Sequence, residues 1–242
     1  MTRHETPTPS PRVSIGMPVY NGMPYLEDAL ASLRQQRFRS FELIISDNAS
    51  TDDTERICAR LAEEDTRIIY VRQAQPIRPI DNFNFVLGRA RATYFMWAAH
   101  DDLWSEDFLE CLLGELEADF GSVLAFGNFE LIDGDGRSCR RGGRYWRTVF
   151  QMPRVARLCV FLLAESDRTC KCNHVYGLMR TSLLKERGGM ERLDDDYAGC
   201  DAVTLYDLLC RGRFRIIPRV LFRYRYRYRH VGPPARLRGV SG

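Results

Sequence analysis

Two adjacent carboxylates, Asp101 and Asp102, follow the apolar run from Tyr94 to Ala99. Side by side at the end of a buried strand, they repel each other unless a cation sits between them and its other ligands. Mg2+ or Mn2+ would relieve that repulsion. Such ions are held by one or two carboxylates plus substrate phosphates, so a diphosphate is the expected co-ligand. The plainer alternative is a hydrated acidic lead-in to the next helix. A third carboxylate, Asp47, ends the apolar run that begins at Phe41 and precedes the small polar residues Asn48, Ala49, Ser50 and Thr51. At the carboxyl end of a strand in an open α/β sheet, it is placed to accept hydrogen bonds from ribose hydroxyls or a base N–H. Alternatively it stabilises only its own turn. Two acidic strand ends imply one crevice.

The elements that must carry these residues follow from periodicity. Val13, Ile15, Met17 and Val19 alternate with smaller or polar residues and predict a strand, broken at Tyr20-Asn21-Gly22. Pro24 suits a first helical turn, and Leu26, Ala29, Leu30 and Leu33 form one apolar stripe. A second βα unit runs from Phe41 through a helix starting near Asp52, whose spacing to Glu55 resembles a capping box. Arg67 to Val71 predicts a third strand, and Pro76 and Pro79 exclude regular structure until a helix from about Asn82 to Ala92. After the strand at 94–99, Ser105 can cap a helix with the stripe Phe108, Leu109, Leu112, Leu113 and Leu116, and Val123 to Asn128 is one more strand. The first half therefore reads as a parallel α/β sheet. The stretch from Arg137 to Arg147 has no clear period and predicts a mobile loop. Helices are expected at 153–164, 181–187 and 201–211, with strands at Val175–Arg180 and Phe214–Ile217.

With 242 residues, 45% of them apolar and 28% charged, the chain has length and composition for one globular catalytic domain. A net charge of +3 is too small for a general nucleic-acid binder. Residues 1–12 are polar and proline-rich, without a signal-peptide core, and predict a disordered leader. Eight cysteines without paired spacing fit reduced thiols and a cytoplasmic setting. The apolar run Val155 to Ala164 is far short of the ~20 residues that span a bilayer, which leaves room only for peripheral membrane contact. Cys170, Cys172 and His174 match no structural zinc spacing and are expected to pack. Neither a nucleophile-elbow serine nor a phosphate-binding Gly-Lys loop occurs.

Three runs together, Val13-Ser-Ile-Gly-Met-Pro-Val-Tyr-Asn21, Glu42-Leu-Ile-Ile-Ser-Asp47-Asn-Ala-Ser-Thr-Asp52 and Ala99-His-Asp-Asp-Leu-Trp104, resemble the family 2 glycosyltransferases of GT-A fold. Weaker likeness continues through Asn173–Arg180 and Gly199-Cys-Asp201, so it covers roughly residues 13–228. The resemblance implies a Rossmann-like, mostly parallel sheet flanked by helices over 13–230, with a nucleotide-sugar half at 13–128, a less regular acceptor-side half at 129–230 and a flexible tail at 231–242. It implies inverting transfer of a sugar from a UDP-, GDP- or dTDP-linked donor to a glycan or lipid-linked acceptor hydroxyl. The setting would be cell-surface polysaccharide or lipid-linked glycan synthesis, at the inner face of the membrane.

Carried over residue by residue, Pro18, Tyr20 and Asn21 match the loop that cradles the base, and Asp47 the acid that contacts base or ribose. Asp101 matches the ribose contact and Asp102 the metal ligand, with His100 standing where the family often has an acid. Asp201 matches the catalytic base, with Asp194, Asp195 and Asp196 as competitors. His230 matches a late histidine near the donor phosphates or metal. The segment from Phe222 to Arg229 alternates aromatic and cationic residues, so as a strand it has an aromatic and an arginine face. It reads as a diphosphate, phospholipid or membrane contact, or as a solvated edge strand. A sugar nucleotidyltransferase would need a basic glycine-rich loop after the first strand, where Tyr20-Asn21-Gly22-Met23 stands instead. The remaining alternative is a nucleotide-sugar-binding protein without catalysis.

Overall fold

The computed structural model describes residues 10–142, 144–165, 170–191 and 199–226. Its first part alternates β1 (Val13–Val19), α1 (Leu26–Arg34), β2 (Phe41–Asp47), α2 (Thr54–Glu64), β3 (Ile68–Arg72), α3 (Pro79–Arg89) and β4 (Tyr94–Trp97). Every residue of β1, β2 and β4 is buried, as expected of parallel strands covered on both faces. The predicted stripe of α1 is the buried one. A Cβ at Gly16 would lie 2.6 Å from Val86 Cγ2 and 2.8 Å from Phe95 Cζ, so glycine lets α3 pack close to β1. Pro79 opens α3 rather than excluding it, because the first helical position needs no N–H.

These four strands are parallel in the order β3-β2-β1-β4. Val19 pairs with Asp47, and Asp47 with Arg72, so the loops after β1, β2 and β3 leave one edge of the sheet at one level. The chain continues with β5 (Leu103–Trp104), α4 (Phe108–Ala118), β6 (Ser122–Ile132), β7 (Ser138–Gly142), α5 (Arg144–Gln151) and α6 (Arg154–Leu163). A 3-10 turn at Lys171–Tyr176, β8 (Leu178–Arg180), α7 (Thr181–Glu186), α8 (Cys200–Arg211) and β9 (Arg213–Arg225) complete it. The sheet order runs on as β4-β8-β6-β9-β5, with β7 also on β6.

Several expectations are corrected here. β6 does not extend the parallel sheet beside β4, because β8 inserts between them, antiparallel to both. The Arg180 guanidinium anchors it there, donating to Ser122 O at 3.0 Å and Leu116 O at 2.9 Å. Residues 175 and 176 belong to the 3-10 turn, not to a strand. The expected mobile loop at 137–147 holds β7 and the start of α5, whose Trp146, Val149 and Phe150 are buried. No side-chain cap of α2 forms at Asp53; Asp52 instead accepts from Thr54 N at 3.0 Å and Met23 N at 3.0 Å. The short strand predicted at 214–217 is the first part of β9, which bulges past Pro218 and continues to Arg225.

His174 packs as the sequence suggests, fully buried against the rings of Phe126, Trp146 and Phe150 at centroid distances of 5.1, 5.8 and 5.5 Å. Burial pushes its pKa down to about 4, only partly offset by the bond from Nδ1 to Lys171 O. An unfolded chain protonates this ring near its ordinary value, so stability is full above about pH 6.5 and falls as the pH drops toward 4. The expected loss approaches ~1.4 kcal/mol per pH unit and totals about 3 kcal/mol. Urea denaturation across this range checks it, and His174→Phe should flatten the slope.

Candidate active site

The first two strand-end loops are laced into one surface. Asn21, at φ 49, accepts on Oδ1 from Thr51 N at 2.9 Å, and its own N donates to Ser50 Oγ at 2.9 Å. Gly22 N donates to Thr54 Oγ1 at 2.9 Å. Polar side chains in the second loop thus satisfy the backbone of the first. Tyr20 is 52% exposed, whereas Pro18 lies buried within β1.

Asp47 is fully buried and bonded on both oxygens. Oδ1 accepts from Ser50 N at 2.8 Å, and Oδ2 from Tyr70 Oη at 2.8 Å and Arg72 Nη1 at 2.7 Å. Arg72 Nη2 also donates to Ser50 O at 2.9 Å. Asp47 therefore does stabilise its own turn, and it fixes two β3 side chains beside the second loop. The sequence reading assigned neither Tyr70 nor Arg72 to the site. Their spacing along β3 is the signal that could have done so, since residues two apart share a face and Arg72 pairs in register with Asp47.

Asp101 is half-buried and Asp102 fully buried, between the end of β4 and the start of β5. Asp102 Oδ1 accepts a 2.8 Å bond from Arg225 N. The Arg225 guanidinium donates from Nε to Asp101 O at 2.9 Å, and from Nη1 to Asp133 O at 3.0 Å and Gly134 O at 2.9 Å. It also lies over the Tyr25 ring, 4.2 Å from the centroid. One residue thus joins the carboxylate loop, the turn after β6 and the end of the first loop. Of the alternating segment, Arg225 is only 5% exposed while Arg223 is 56% exposed, β5 pairs with β9 through Leu103–Arg223 and Trp104–Phe222, and residues 227–229 lie outside the described residues. Arg225→Gln should lose about 2 kcal/mol in chemical denaturation, since three part-buried carbonyls lose donors. Lysine should recover less than half, because a single ammonium cannot reproduce the fork.

Asp201 stands in the first turn of α8, after Gly199 at φ 96, and its Oδ1 accepts from Ala202 N at 2.7 Å. The glycine permits the left-handed turn that starts the helix here. Tyr176, at the end of the 3-10 turn, is half-buried. Burial first, then the charges of Asp102, Tyr224, Asp101 and Asp201, push the pKa of its phenol well up. Tyr224 is raised by burial and by Asp102 and Asp101. The two tyrosines flank Phe222, with ring centroids 6.0 and 6.5 Å from it. A phenol raised in this way stays protonated at neutral pH. Asp101 and Asp102 lie after β4 and Asp201 stands in the first turn of α8, while Tyr20 and Asn21 lie on the first loop and Asp47 is buried at the end of β2. His230 and the competing Asp194, Asp195 and Asp196 lie outside the described residues.

Comparisons with known proteins agree with this architecture. The S. aureus TarS fragment 1–349 solved with UDP superposes with a TM-score of 0.69 at 17% identity, covering 89% of this chain and 60% of that one. The Pyrobaculum calidifontis mannosyltransferase PcManGT, solved with GDP-Man and Mn2+, gives 0.62 at 21% identity, covering 90% and 57%. The fold is thus the GT-A type. Among curated relatives, the Campylobacter jejuni GalNAc(5)-diNAcBac-PP-undecaprenol beta-1,3-glucosyltransferase is 32% identical over 127 residues, 52% of this chain and 40% of that protein. The Bacillus subtilis putative teichuronic acid biosynthesis glycosyltransferase TuaG is 32% identical over 126 residues, 52% and 50%. The match spans half or less of each of these two relatives. Residues 14–177, well over half the chain, match the family model for glycosyl transferase family 2, and the chain belongs to that family.

Proposed function

We propose that this chain transfers a sugar from a nucleotide diphosphate donor to an acceptor hydroxyl, by single displacement with inversion. The observation that carries it is the carboxylate pair Asp101 and Asp102 after β4, on the sheet edge that the loops after β1 and β2 share, in a chain whose residues 14–177 match glycosyl transferase family 2. Tyr20 stacks on the base, Asn21 and Asp47 shape the base and ribose side, and Asp101 reaches the ribose. The carboxylate of Asp102 offers the hard oxygens that Mn2+ or Mg2+ takes, and phosphate oxygens of the donor would complete the ion's coordination. When bound, that ion offsets charge on the departing diphosphate. Asp201 takes the proton from the acceptor hydroxyl as that oxygen attacks the anomeric carbon from the opposite side.

The relatives point to a glycan or lipid-linked acceptor in surface polysaccharide or lipid-linked glycan assembly. No helix among the described residues is long and apolar enough to cross a membrane; peripheral contact with a lipid-linked acceptor is part of this reading. Thermal-shift measurements with UDP-, GDP- and dTDP-sugars, with and without Mn2+ or Mg2+, test the reading. One nucleotide class should raise the melting temperature in the presence of metal and much less in its absence. Equal shifts without metal would remove the ion from the site, and no shift with any donor would remove the donor reading.

A further inference from the structure

We infer that the outer face of α6, with the arginines around it, is a docking surface for an anionic phospholipid bilayer. Val155 is 73%, Leu162 63% and Leu163 82% exposed. Ala156 and Cys159 are exposed as well, so the five residues form one apolar face at helical spacing. The opposite face holds the helix in place. Phe161 is buried beside Trp146, at 5.5 Å between centroids, and Arg157 donates to Gly212 O at 3.1 Å. Lys171 Nζ caps the carbonyl end, donating to Phe161 O at 3.0 Å and Ala164 O at 2.7 Å. The apolar face is thus presented on a fixed helix.

Charge selects the occupant. Between Asp135 and Glu165 the sequence carries seven arginines and no acidic residue. Arg137 and Arg141 face Asp135 and Glu130. Arg140, Arg144, Arg147 and Arg154 are exposed, and none of them forms an ion pair among the described residues. An exposed apolar helix face amid arginines has the composition of a helix lying in a lipid interface, with aliphatic groups among the acyl chains and guanidinium groups on the phosphates. A second copy of this face would bring the same arginines against themselves, so self-association through it is disfavoured. Residues 227–242 add four more arginines and no acid, so their charge does not suit them to cover it. The inference extends the peripheral contact of the proposed function, but its test uses neither donor nor acceptor.

The experiment is sedimentation of the full chain with vesicles of phosphatidylcholine alone, and with one-quarter phosphatidylglycerol. The chain should pellet with the anionic vesicles only, and less so as salt is raised. Each arginine near such a surface is worth roughly fivefold in partitioning. Arg144→Gln with Arg147→Gln should therefore weaken binding on the order of tenfold or more. Leu162→Asp with Leu163→Asp should do the same, with an unchanged melting temperature because both side chains are exposed. Failure of the parent to bind anionic vesicles, or equal binding by both double variants, overturns the inference. So does a concentration-dependent dimer that the leucine variant abolishes without any lipid. Donor thermal shifts on the same variants should match the parent, which separates this outcome from failure of the transfer reading.

Discussion

Asp201→Asn is expected to lower kcat by about 10²–10⁴-fold while leaving donor affinity near that of the parent. The substitution keeps size and removes the charge that accepts the acceptor proton. Asp201 sits in the first turn of α8, where its Oδ1 already accepts from Ala202 N, and an asparagine oxygen can keep that bond. Folding should therefore be spared, and the loss should fall on turnover. Initial rates over a donor series, with nucleotide affinity by calorimetry, separate the two. Near-parent turnover would shift the base to the acidic residues at 194–196. A parallel loss of donor affinity would place Asp201 on the donor side instead.

Asp102→Asn is expected to reduce kcat/KM by roughly 10²–10³-fold, with its largest effect at limiting metal. The buried carboxylate receives the Arg225 N–H on Oδ1, and the amide oxygen of asparagine can still accept that bond. What disappears is the charge that draws a divalent ion to the diphosphate. Donor binding in a fixed Mn2+ concentration should weaken, while nucleoside binding without phosphates should not. If the variant binds the donor as tightly as the parent in the same metal, Asp102 does not coordinate. The Arg225→Gln variant provides a contrast: it should lower stability first, and activity only through the placement of the Asp101–Asp102 loop.

Much of the first half was legible because its signals are local. Strand alternation in β1, the apolar run of β2 and the stripe of α1 depend on neighbours one to four residues apart, and each element forms where it is expected. Their parallel pairing then obliges the loops after β1, β2 and β3 to share an edge. The second half was less legible. Its stretch at 137–147 is rich in glycine and arginine, and only burial of Trp146 against Phe161 and His174 makes a helix of its end. β8 is three residues long, too short to carry a period, and its place between β4 and β6 depends on edges supplied from elsewhere.

By itself the sequence determined the βα units, the strand-end carboxylates and the family to which they belong, because hydrophobic periodicity and short motifs are properties of contiguous residues. The family resemblance at Gly199-Cys-Asp201 also singled out Asp201. Only the tertiary structure decided that Asp47 is held by Tyr70 and Arg72, and that Arg225 is a buried tie between loops. Those facts depend on pairs up to 124 residues apart in the chain. Such contacts form because burying apolar faces closes the sheet, and closure brings together polar groups whose separation in sequence carries no signal of their meeting.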